Sequence, residues 1–270
     1  MKLIVIAPNG KMGSAITRIA VTRKEFTLIA GVGSKGRGYI GRDLGQVAML
    51  GRDLGVSVVD DLESVIDQCD VIIDFSTTNA APDILHSAVQ HHKALVCGTT
   101  GFTEQEFLLF KEAAKYIPIV YAPNTSKMVN LLNRFVECAA LELGDEADIE
   151  IVDLHDRWKK DAPSGTARKM GENIAAQKGK TMEQIAVYGR EGVSPRIPGT
   201  IGFHSLRAGD IPSSHMIYIG GLGERLELAH HSYNMDCFAR GACDCAIFLE
   251  GKIPGLYSAK DAFQNKRSDI

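Results

Sequence analysis

Through the first 126 residues, short apolar runs alternate with segments in which apolar residues recur every three or four positions. The runs at 2–7, 26–32, 56–59, 71–76, 94–97 and 117–122 predict strands. Such nearly continuous apolar runs are typical of parallel strands that are covered on both faces. Helical spacing follows most of them, as at 12–20, 62–66 and 84–89, and a capping-box pattern opens another helix at 103–106. The α/β class is therefore predicted, with a Rossmann-type doubly wound parallel sheet. The polar segment 41–55 reads as a loop.

The pattern changes after Asn130. A strong helix face at 131–143 precedes a strand at 149–155, a helix that begins near Ser164, and β-like stretches at 200–207, 215–220 and 224–230. This order suits a second α+β domain with an open mixed sheet. The last helix, 238–249, is small and apolar enough to return to the first domain. We therefore expect a dinucleotide-binding domain of residues 1–126 and 236–270, and a substrate-binding and oligomerisation domain of residues 127–235. Hinges are expected where the chain passes from one domain to the other, at 126–127 and 234–236.

Composition sets the limits on function. A chain of 270 residues that is 45% hydrophobic is long enough to bury two cores, and a net charge of −3 shows no general attraction to nucleic acid or to a membrane. The apolar start is too short for a signal peptide, so we expect a soluble, cytoplasmic protein. Six cysteines are scattered among apolar neighbours without Cys-x-x-Cys spacing, which indicates reduced, buried thiols. No metal is expected.

A glycine turn follows the first strand. It comprises Ala7, Pro8, Asn9, Gly10, Lys11 and Met12 and leads into a helix. Strand, glycine turn and helix together are typical of a dinucleotide site, where Gly10 lets the backbone approach a pyrophosphate and Gly13 lets the helix pack against the strand. Ala7 occupies the place where that fingerprint usually has its first glycine. An ordinary tight turn is the alternative.

Other strand ends extend the predicted cofactor site. The second strand lacks the carboxylate that binds the ribose in NAD users and runs into Ser34, Lys35 and Arg37, which favours NADPH with NADH tolerated. A mobile basic loop explains that segment equally well. Ligands of such sheets lie beyond the carboxyl ends of the strands. The expected nicotinamide-end residues are Phe75, Gly98, Thr99, Thr100, Ala122, Pro123 and Asn124, although plain turn chemistry is an alternative for these loops.

A second candidate site lies between 155 and 167. His155 offers a titratable base and Lys159 an ammonium group, and Ser164, Gly165 and Thr166 open a helix whose first N–H groups and dipole favour an anion. A carboxylate is the expected ligand. The alternative is an ordinary capped helix start with solvated charges before it.

Ordered motifs along the whole chain resemble the dihydrodipicolinate reductase family. They are 10–13, 74–76, 98–102, 122–124, His155 with Lys159, 161–167, 199–203, 207–210, 223–228, His230 and 238–242. The resemblance implies NADPH- or NADH-dependent reduction of dihydrodipicolinate (4-hydroxy-tetrahydrodipicolinate) to tetrahydrodipicolinate in lysine and diaminopimelate biosynthesis. It also implies that His155 and Lys159 handle the proton and that Ser164, Gly165 and Thr166 hold a carboxylate of the substrate. A homotetramer formed through the second sheet is implied too, and Met216, Tyr218, Leu226 and Leu228 are expected to supply its face.

Two positions depart from the family pattern. Asp156 stands where a second, substrate-contacting histidine is usual, and Met235 stands where an arginine is usual. Asp156 could point away and pair with Arg157, His231 could compensate, or the substrate could differ. The runner-up is thus a paralogous reductase of another imine or carbonyl compound. A nucleotide-sensing protein without catalysis is a third hypothesis, which the intact His155 and Lys159 disfavour.

Overall fold

A computed structural model of the chain describes residues 1–264. The chain forms two compact units: Met1–Lys127 together with the segment that starts at Met235, and Met128–Asn234. Residues 265–270, which we assigned to the first domain, lie outside the described residues. Within residues 1–264, no helix combines the length and apolar character that crossing a membrane requires.

The first unit is built on a seven-stranded sheet in the order β3-β2-β1-β4-β5-β6-β12. Its strands are β1 (Lys2–Ile6), β2 (Thr27–Val32), β3 (Val58–Val59), β4 (Val71–Asp74), β5 (Ala94–Cys97), β6 (Pro118–Tyr121) and β12 (Gly255–Ser258). Every pairing is parallel. Because the strand order reverses direction at β1 and β4, ligands are expected beside the carboxyl ends of these two strands.

Helices cover both faces of this sheet. They are α1 (Lys11–Val21), α2 (Leu44–Val47), α3 (Ala81–Gln90), α4 (Glu104–Ala113), α8 (Asp236–Phe248) and α9 (Ala259–Phe263). Leu3 and Val5 pack on one side with α1 and α8, and Ile4 and Ile6 pack on the other side with α3 and α4. Burial on both faces explains the continuous apolar runs, and it confirms the doubly wound class predicted from them. The last long helix returns to this unit, as expected.

The second unit has a mixed sheet in the order β11-β10-β7-β9-β8. Its elements are α5 (Lys127–Leu143), β7 (Asp148–His155), α6 (Gly165–Gln177), α7 (Met182–Ile185), β8 (Ala186–Tyr188), β9 (Ile201–Arg207), β10 (Ser213–Gly220) and β11 (Arg225–Ser232). Strands β10 and β11 run antiparallel to their neighbours, and β7, β8 and β9 pair in parallel. Helices α5 and α6 pack on one face of this sheet. The α+β prediction with a mixed sheet is confirmed.

The four residues expected to form the oligomer face do not share one face of the sheet, so that prediction was wrong for two of them. Met216 lies opposite Ala229, whereas Leu226 and Leu228 lie opposite Ile219 and Ile217. Directly paired residues share a face of a sheet, and the two faces alternate along each strand. Leu226 and Leu228 therefore point to the helix-covered face. The open face instead presents apolar side chains from β7, β9 and β10: Val152, Leu154, Leu206, Met216 and Tyr218.

Several short elements differ from expectation. The predicted helix at 62–66 is only a turn followed by a 3₁₀ helix, Ile66–Gln68, because Asp61 holds the chain in a turn by accepting hydrogen bonds at its side chain and backbone. Strands β8 and β12 and helices α7 and α9 are too short to show a period. All six cysteines are free thiols; four are buried, but Cys138 is exposed and Cys237 is half-buried, contrary to expectation.

The segment 41–55 is organised by one carboxylate rather than being a plain loop. Asp43 caps the short helix α2, and its oxygens accept the backbone N–H groups of Gly45, Leu54, Gly55 and Val56. Partial burial acts to raise the pKa of Asp43, but these hydrogen bonds outweigh it and lower the pKa. Asp53, at the same place in the repeated Gly-Arg-Asp-Leu-Gly motif, is exposed, and among residues 1–264 its carboxylate accepts a hydrogen bond from the Gln46 side chain alone.

Asp43→Ala should therefore destabilise the first unit by about 2 kcal/mol, because four backbone donors lose their acceptor. Thermal unfolding would show a fall in Tm of roughly 5 °C for a protein of this size. Asp53→Ala is the matched control and should change stability by less than about 0.5 kcal/mol. Equal shifts in the two variants would contradict the assigned role of Asp43.

Candidate active site

The glycine turn after β1 forms a tight junction with helix α1. Ala7 adopts a φ of 52°, a left-handed conformation that an alanine takes only with strain, and its carbonyl accepts the Gly10 N–H at 2.9 Å. A Cβ on Gly13 would lie 2.2 Å from that carbonyl oxygen, so only glycine fits there. Gly10 begins α1 without a side-chain cap, and the first turn holds no acidic residue. The N–H groups at this helix start suit a phosphate.

A cavity of about 400 Å³ opens beside the carboxyl ends of β4 and β5. We call it the Phe75 cavity; it is lined by Met12, Phe75, Ser76, Thr77, Thr78, Gly98, Thr99 and Thr100. Five predicted cofactor residues thus meet in one place. Gly98 is required, since a Cβ there would lie 2.1 Å from the Phe75 ring. Ser76 Oγ and Thr99 Oγ1 are buried and have no hydrogen-bond partner among residues 1–264. Such hydroxyls fit a ligand with polar groups, such as a carboxamide.

The other predicted cofactor residues lie outside the lining of this cavity. Ala122 is buried at the end of β6, where its N–H donates to the Cys97 carbonyl at 2.9 Å. Pro123 is exposed, and Asn124 Oδ1 accepts the Ser126 N–H at 2.9 Å. Ser34 and Lys35 are exposed beyond the end of β2. Pro8, Asn9 and Lys11 lie in the turn itself.

In the second unit, four strands change from apolar to polar at the same level of the sheet. On the helix-covered face, two rows of directly paired residues are apolar: Ile201, Ile149, Ile219 and Leu226, then Phe203, Ile151, Ile217 and Leu228. All of them except Leu226 belong to the core of this unit or pack against it. The next row is Ser205, Asp153, His215 and His230. Beyond it lie Arg207, His155, Ser213 and Ser232. We call the last two rows the polar rows.

Asp153 lies at the centre of the polar rows and is 1% exposed. Its carboxylate accepts the Ser164 N–H at 2.7 Å, the Ser205 hydroxyl at 3.0 Å and Arg207 Nη1 at 2.6 Å. Burial alone would raise the pKa of Asp153, but its contacts with His155, Ser164 and Arg207 lower it well below its usual range. The carboxylate is therefore held in its charged form.

His155 and Lys159 are set in place by this network. Nδ1 of His155 lies 3.3 Å from Asp153 Oδ1, and Nε2 lies 3.2 Å from Ser213 Oγ. The Lys159 ammonium pairs with Asp161 at 2.7 Å. Arg207 donates through Nη2 to the Asp161 carbonyl at 2.6 Å and so ties the loop of Lys159 to Asp153. An imidazole and an ammonium group within one such network can serve proton transfer.

Helix α6 begins as predicted, and both the hydroxyl and the N–H of Ser164 contact other residues of the same unit. Its side chain caps the helix by accepting the Ala167 N–H, and it lies 3.0 Å from His215 Nε2. Its own N–H donates to Asp153. Direct binding of a substrate carboxylate by Ser164 stays a prediction. Gly165, exposed in the first turn, retains an N–H that the helix does not use. Thr166 follows it and is half-buried.

The two departures from the family pattern have local explanations. Asp156 Oδ1 accepts the Trp158 N–H at 2.8 Å, so its carboxylate is engaged in a backbone turn rather than in a pair with Arg157. His231 Nδ1 lies 2.9 Å from Ser214 Oγ. Met235 is the N-cap residue of α8 and is 37% exposed. Among residues 1–264, no group of three or more His, Cys, Asp and Glu side chains could hold a metal ion.

Of the eight residues in the polar rows, only His155 was predicted as a site residue; the seven others are Asp153, Ser205, Arg207, Ser213, His215, His230 and Ser232. A signal was present in each strand, because polar residues stand two apart at 153 and 155, at 205 and 207, and at 213 and 215. Residues two apart share a face of a strand. The sequence does not show that these polar residues lie on the same face of one sheet; the pairing of the strands does.

Comparisons with known proteins cover nearly the whole described chain. Residues 1–125 match the family model for the dihydrodipicolinate reductase N-terminus, and residues 128–263 match the model for its C-terminus. The 4-hydroxy-tetrahydrodipicolinate reductase of Hahella chejuensis is 41% identical over 261 residues, covering 96% of this chain and 97% of that protein. The one from Geobacter metallireducens is 42% identical over 264 residues, covering 97% and 98%.

Solved structures agree in fold. A dipicolinate-bound dihydrodipicolinate reductase from Paenisporosarcina sp. TG-14 has a TM-score of 0.76 at 25% identity and covers 98% of this chain and 99% of its own. An amine dehydrogenase from Mycobacterium smegmatis has a TM-score of 0.63 at 16% identity, with 100% and 97% covered, and this likeness concerns the fold alone.

His215 makes the stability of the second unit sensitive to acid. Burial, with the nearby His155, lowers the pKa of His215 from 6.5 to about 3. Above pH 6.5 the imidazole is neutral in both states; below it only the unfolded chain takes up the proton, so stability falls by up to about 1.4 kcal/mol per pH unit. His215→Gln should therefore gain stability relative to the unmodified protein as the pH falls from 6.5 to 5, measured by urea unfolding.

His91→Gln provides a control of opposite sign. Asp67 and Glu63 raise the pKa of the half-buried His91, so its contribution to stability is present below the ordinary pKa and is lost as the pH rises. His91→Gln should therefore lose stability relative to the unmodified protein as the pH falls. The same pH trend in both variants would contradict the assignment for His215.

Proposed function

We infer the function from one premise: the chain belongs to the dihydrodipicolinate reductase family. We propose that it reduces dihydrodipicolinate, the dehydrated form of 4-hydroxy-tetrahydrodipicolinate, to tetrahydrodipicolinate, with a nicotinamide cofactor as the reductant. The step belongs to lysine and diaminopimelate biosynthesis. Identity of 41–42% along nearly the entire chain to proteins named for this reaction is the observation that carries the proposal.

The first unit supplies the cofactor site in this proposal. The glycine turn of residues 7–13 would hold the pyrophosphate, and the Phe75 cavity would hold the nicotinamide with the unpartnered Ser76 and Thr99 hydroxyls near its amide. When bound, the reduced nicotinamide supplies the hydride. Ala122, Pro123 and Asn124 would border the same end of the cofactor.

The second unit supplies the substrate site. Addition of a hydride to the conjugated imine leaves an enamine, which must take up one proton. His155 and Lys159 would deliver that proton, because an imidazole titrates near neutrality and an ammonium group carries a proton to give. The N–H groups of Gly165 and Thr166 would hold one substrate carboxylate at the positive end of α6. Ser164 would shape that helix start.

A different imine or carbonyl substrate is not favoured. An Asp156 carboxylate that faced the substrate would repel a dianion, but one of its oxygens accepts the Trp158 N–H at 2.8 Å, which holds the side chain in a backbone turn. A short turn of this kind restricts where the carboxylate points.

We also propose that the enzyme works in the cytoplasm as a homotetramer, assembled through the open face of the second sheet. That face carries Val152, Leu154, Leu206, Met216 and Tyr218, and Leu206 is 50% exposed in the single chain. An exposed apolar patch of this kind is typical of an interface. Light scattering that finds only monomer at micromolar concentration would contradict the assembly.

Turnover of enzymatically generated dihydrodipicolinate tests the proposal directly. Lys159→Met should lower kcat by about 10²- to 10⁴-fold, the usual contribution of a general acid, while cofactor affinity stays unchanged. Steady-state kinetics and calorimetric titration with NADPH measure the two quantities. Lys160→Met is the matched control, since Lys160 is exposed beside it, and this variant should keep its activity. Loss of cofactor binding together with activity in Lys159→Met would argue against the assigned role.

We propose a preference for NADPH, on the basis of Ser34 and Lys35 and the absence of an acidic residue from 32 to 42. Lys35→Ala should raise the KM for NADPH about tenfold, the loss of one charge-assisted hydrogen bond, and leave that for NADH nearly unchanged. Kinetics with both cofactors measure the ratio. Equal effects on the two would contradict a 2′-phosphate contact.

A further inference from the structure

Asp153 is a buried carboxylate to which the proposed function gives no role. It lies on β7 two residues before His155, and both point to the helix-covered face. At 1% exposure it cannot be solvated, and it is matched instead by Arg207, Ser205 and the Ser164 N–H. Burying a charge is costly unless it is paired in this way.

We propose that Asp153 is the positioning residue of this site: it fixes the tautomer of His155 and the start of helix α6 at the same time. The inference rests on the proposed function for its catalytic meaning, but its geometry is independent of the substrate. One carboxylate oxygen, Oδ1, faces His155 Nδ1 at 3.3 Å and accepts from Arg207. The other, Oδ2, accepts from Ser164 and Ser205.

The tautomer follows from the charge of Asp153. At 3.3 Å, Nδ1 and Oδ1 form a close electrostatic contact rather than an aligned hydrogen bond. Because an ionised carboxylate can only accept, it favours the tautomer of His155 that carries its proton on Nδ1. Nε2 is then the nitrogen that gains and loses a proton, and it lies 3.2 Å from the Ser213 hydroxyl. An acid–base histidine works only if one chosen nitrogen is available to its substrate, which is how carboxylate partners of such histidines act.

The second carboxylate oxygen of Asp153, Oδ2, fixes the start of helix α6. The Ser164 N–H donates to Asp153 Oδ2 at 2.7 Å, and the Ser164 hydroxyl caps the Ala167 N–H. The N–H groups of Gly165 and Thr166 are therefore held at a fixed place relative to His155. One carboxylate thus links the proton-transfer group to the carboxylate-binding turn.

The charged and titratable groups around the pair come from every neighbouring strand and from the loop. Arg207 lies on β9, His215 on β10 with its ring 5.3 Å from that of His155, and His230 beyond it on β11. Lys159 and Asp161 pair in the loop after β7. Asp153 is the anion in this set that contacts His155.

The first test needs no substitution. Long-range ¹H–¹⁵N spectra of the imidazole nitrogens in the full chain, without substrate, should show neutral His155 protonated on Nδ1. A neutral His155 protonated on Nε2 would overturn the proposal. This readout does not depend on turnover: if the unmodified protein failed to reduce dihydrodipicolinate, the proposed function would fall while the tautomer result still stood.

The second test compares Asp153→Asn with Asp145→Asn, which removes a carboxylate paired with Lys178 and Lys180 in the same unit, away from the polar rows. Asp153→Asn should lower kcat about 10- to 100-fold, as loss of the partner of a functional histidine does. The imidazole spectra of Asp153→Asn should no longer show neutral His155 protonated mainly on Nδ1, because the anion that favours that tautomer is gone. Asp145→Asn should leave the tautomer in place, and Asp153→Glu should recover part of the rate by restoring the charge.

A merely structural role predicts a different outcome. Asp153→Asn would then lower Tm and the yield of folded protein, but the tautomer of His155 would match that of the unmodified protein. That result would overturn the proposal. Should Asp153→Asn not fold, the tautomer of His155 in the unmodified protein, measured in the first test, keeps the proposal falsifiable.

Discussion

The register of the second sheet is the constraint on which both its core and its candidate site depend. Four strands change from apolar to polar at one level, so that Ile151 stands among core residues and Asp153, the next residue on that face, stands among polar ones. A slip of one residue in any pairing would turn every side chain of that strand to the other face. It would expose isoleucines and bury an unmatched carboxylate at the same time. Stability and chemistry therefore select the same arrangement, and the apolar rows supply the free energy that holds the polar rows in place.

Within the polar rows, one charge sets the state of its neighbours. Asp153 remains ionised because Arg207 and the Ser164 N–H compensate its burial. His215, equally buried, lies between His155 and His230, and burial keeps it neutral. A second imidazolium there would compete with His155 for the same anion. The sheet thus contains one histidine beside a carboxylate and another that is kept uncharged, although the two rings are only 5.3 Å apart. Environment rather than residue type separates their roles.

Features that depend on neighbouring residues could be predicted from the sequence, whereas features that depend on contacts between distant residues could not. Apolar runs, the glycine turn and the Ser164 cap each depend on neighbouring residues, and all three are found where they were expected. Asp43 and Asp53 stand in the same pentapeptide, yet only Asp43 gathers four backbone donors, because β3 and the chain before it return to its carboxylate. The oligomer face was assigned to the wrong leucines for a similar reason: alternation within a strand is visible in the sequence, but the pairing between strands is not. The helix cap of Ser164 could be predicted from the sequence, but its bond to Asp153 could not, since the two residues are eleven positions apart.

The departures from family patterns are best understood through the backbone around them. Ala7 replaces a glycine yet keeps the left-handed φ of 52°, and the turn survives because its carbonyl still accepts the Gly10 N–H while Gly13 leaves room for it. A left-handed alanine costs about 1 kcal/mol, a small fraction of what the buried strand before it contributes. Asp156 replaces a histidine, and its carboxylate turns to the Trp158 N–H. At both positions a nearby backbone N–H, that of Gly10 or of Trp158, donates a hydrogen bond to the replaced residue and keeps the local turn intact. The groups that the proposed chemistry needs, namely His155 with its carboxylate partner and the first N–H groups of α6, are held by contacts that neither replacement touches.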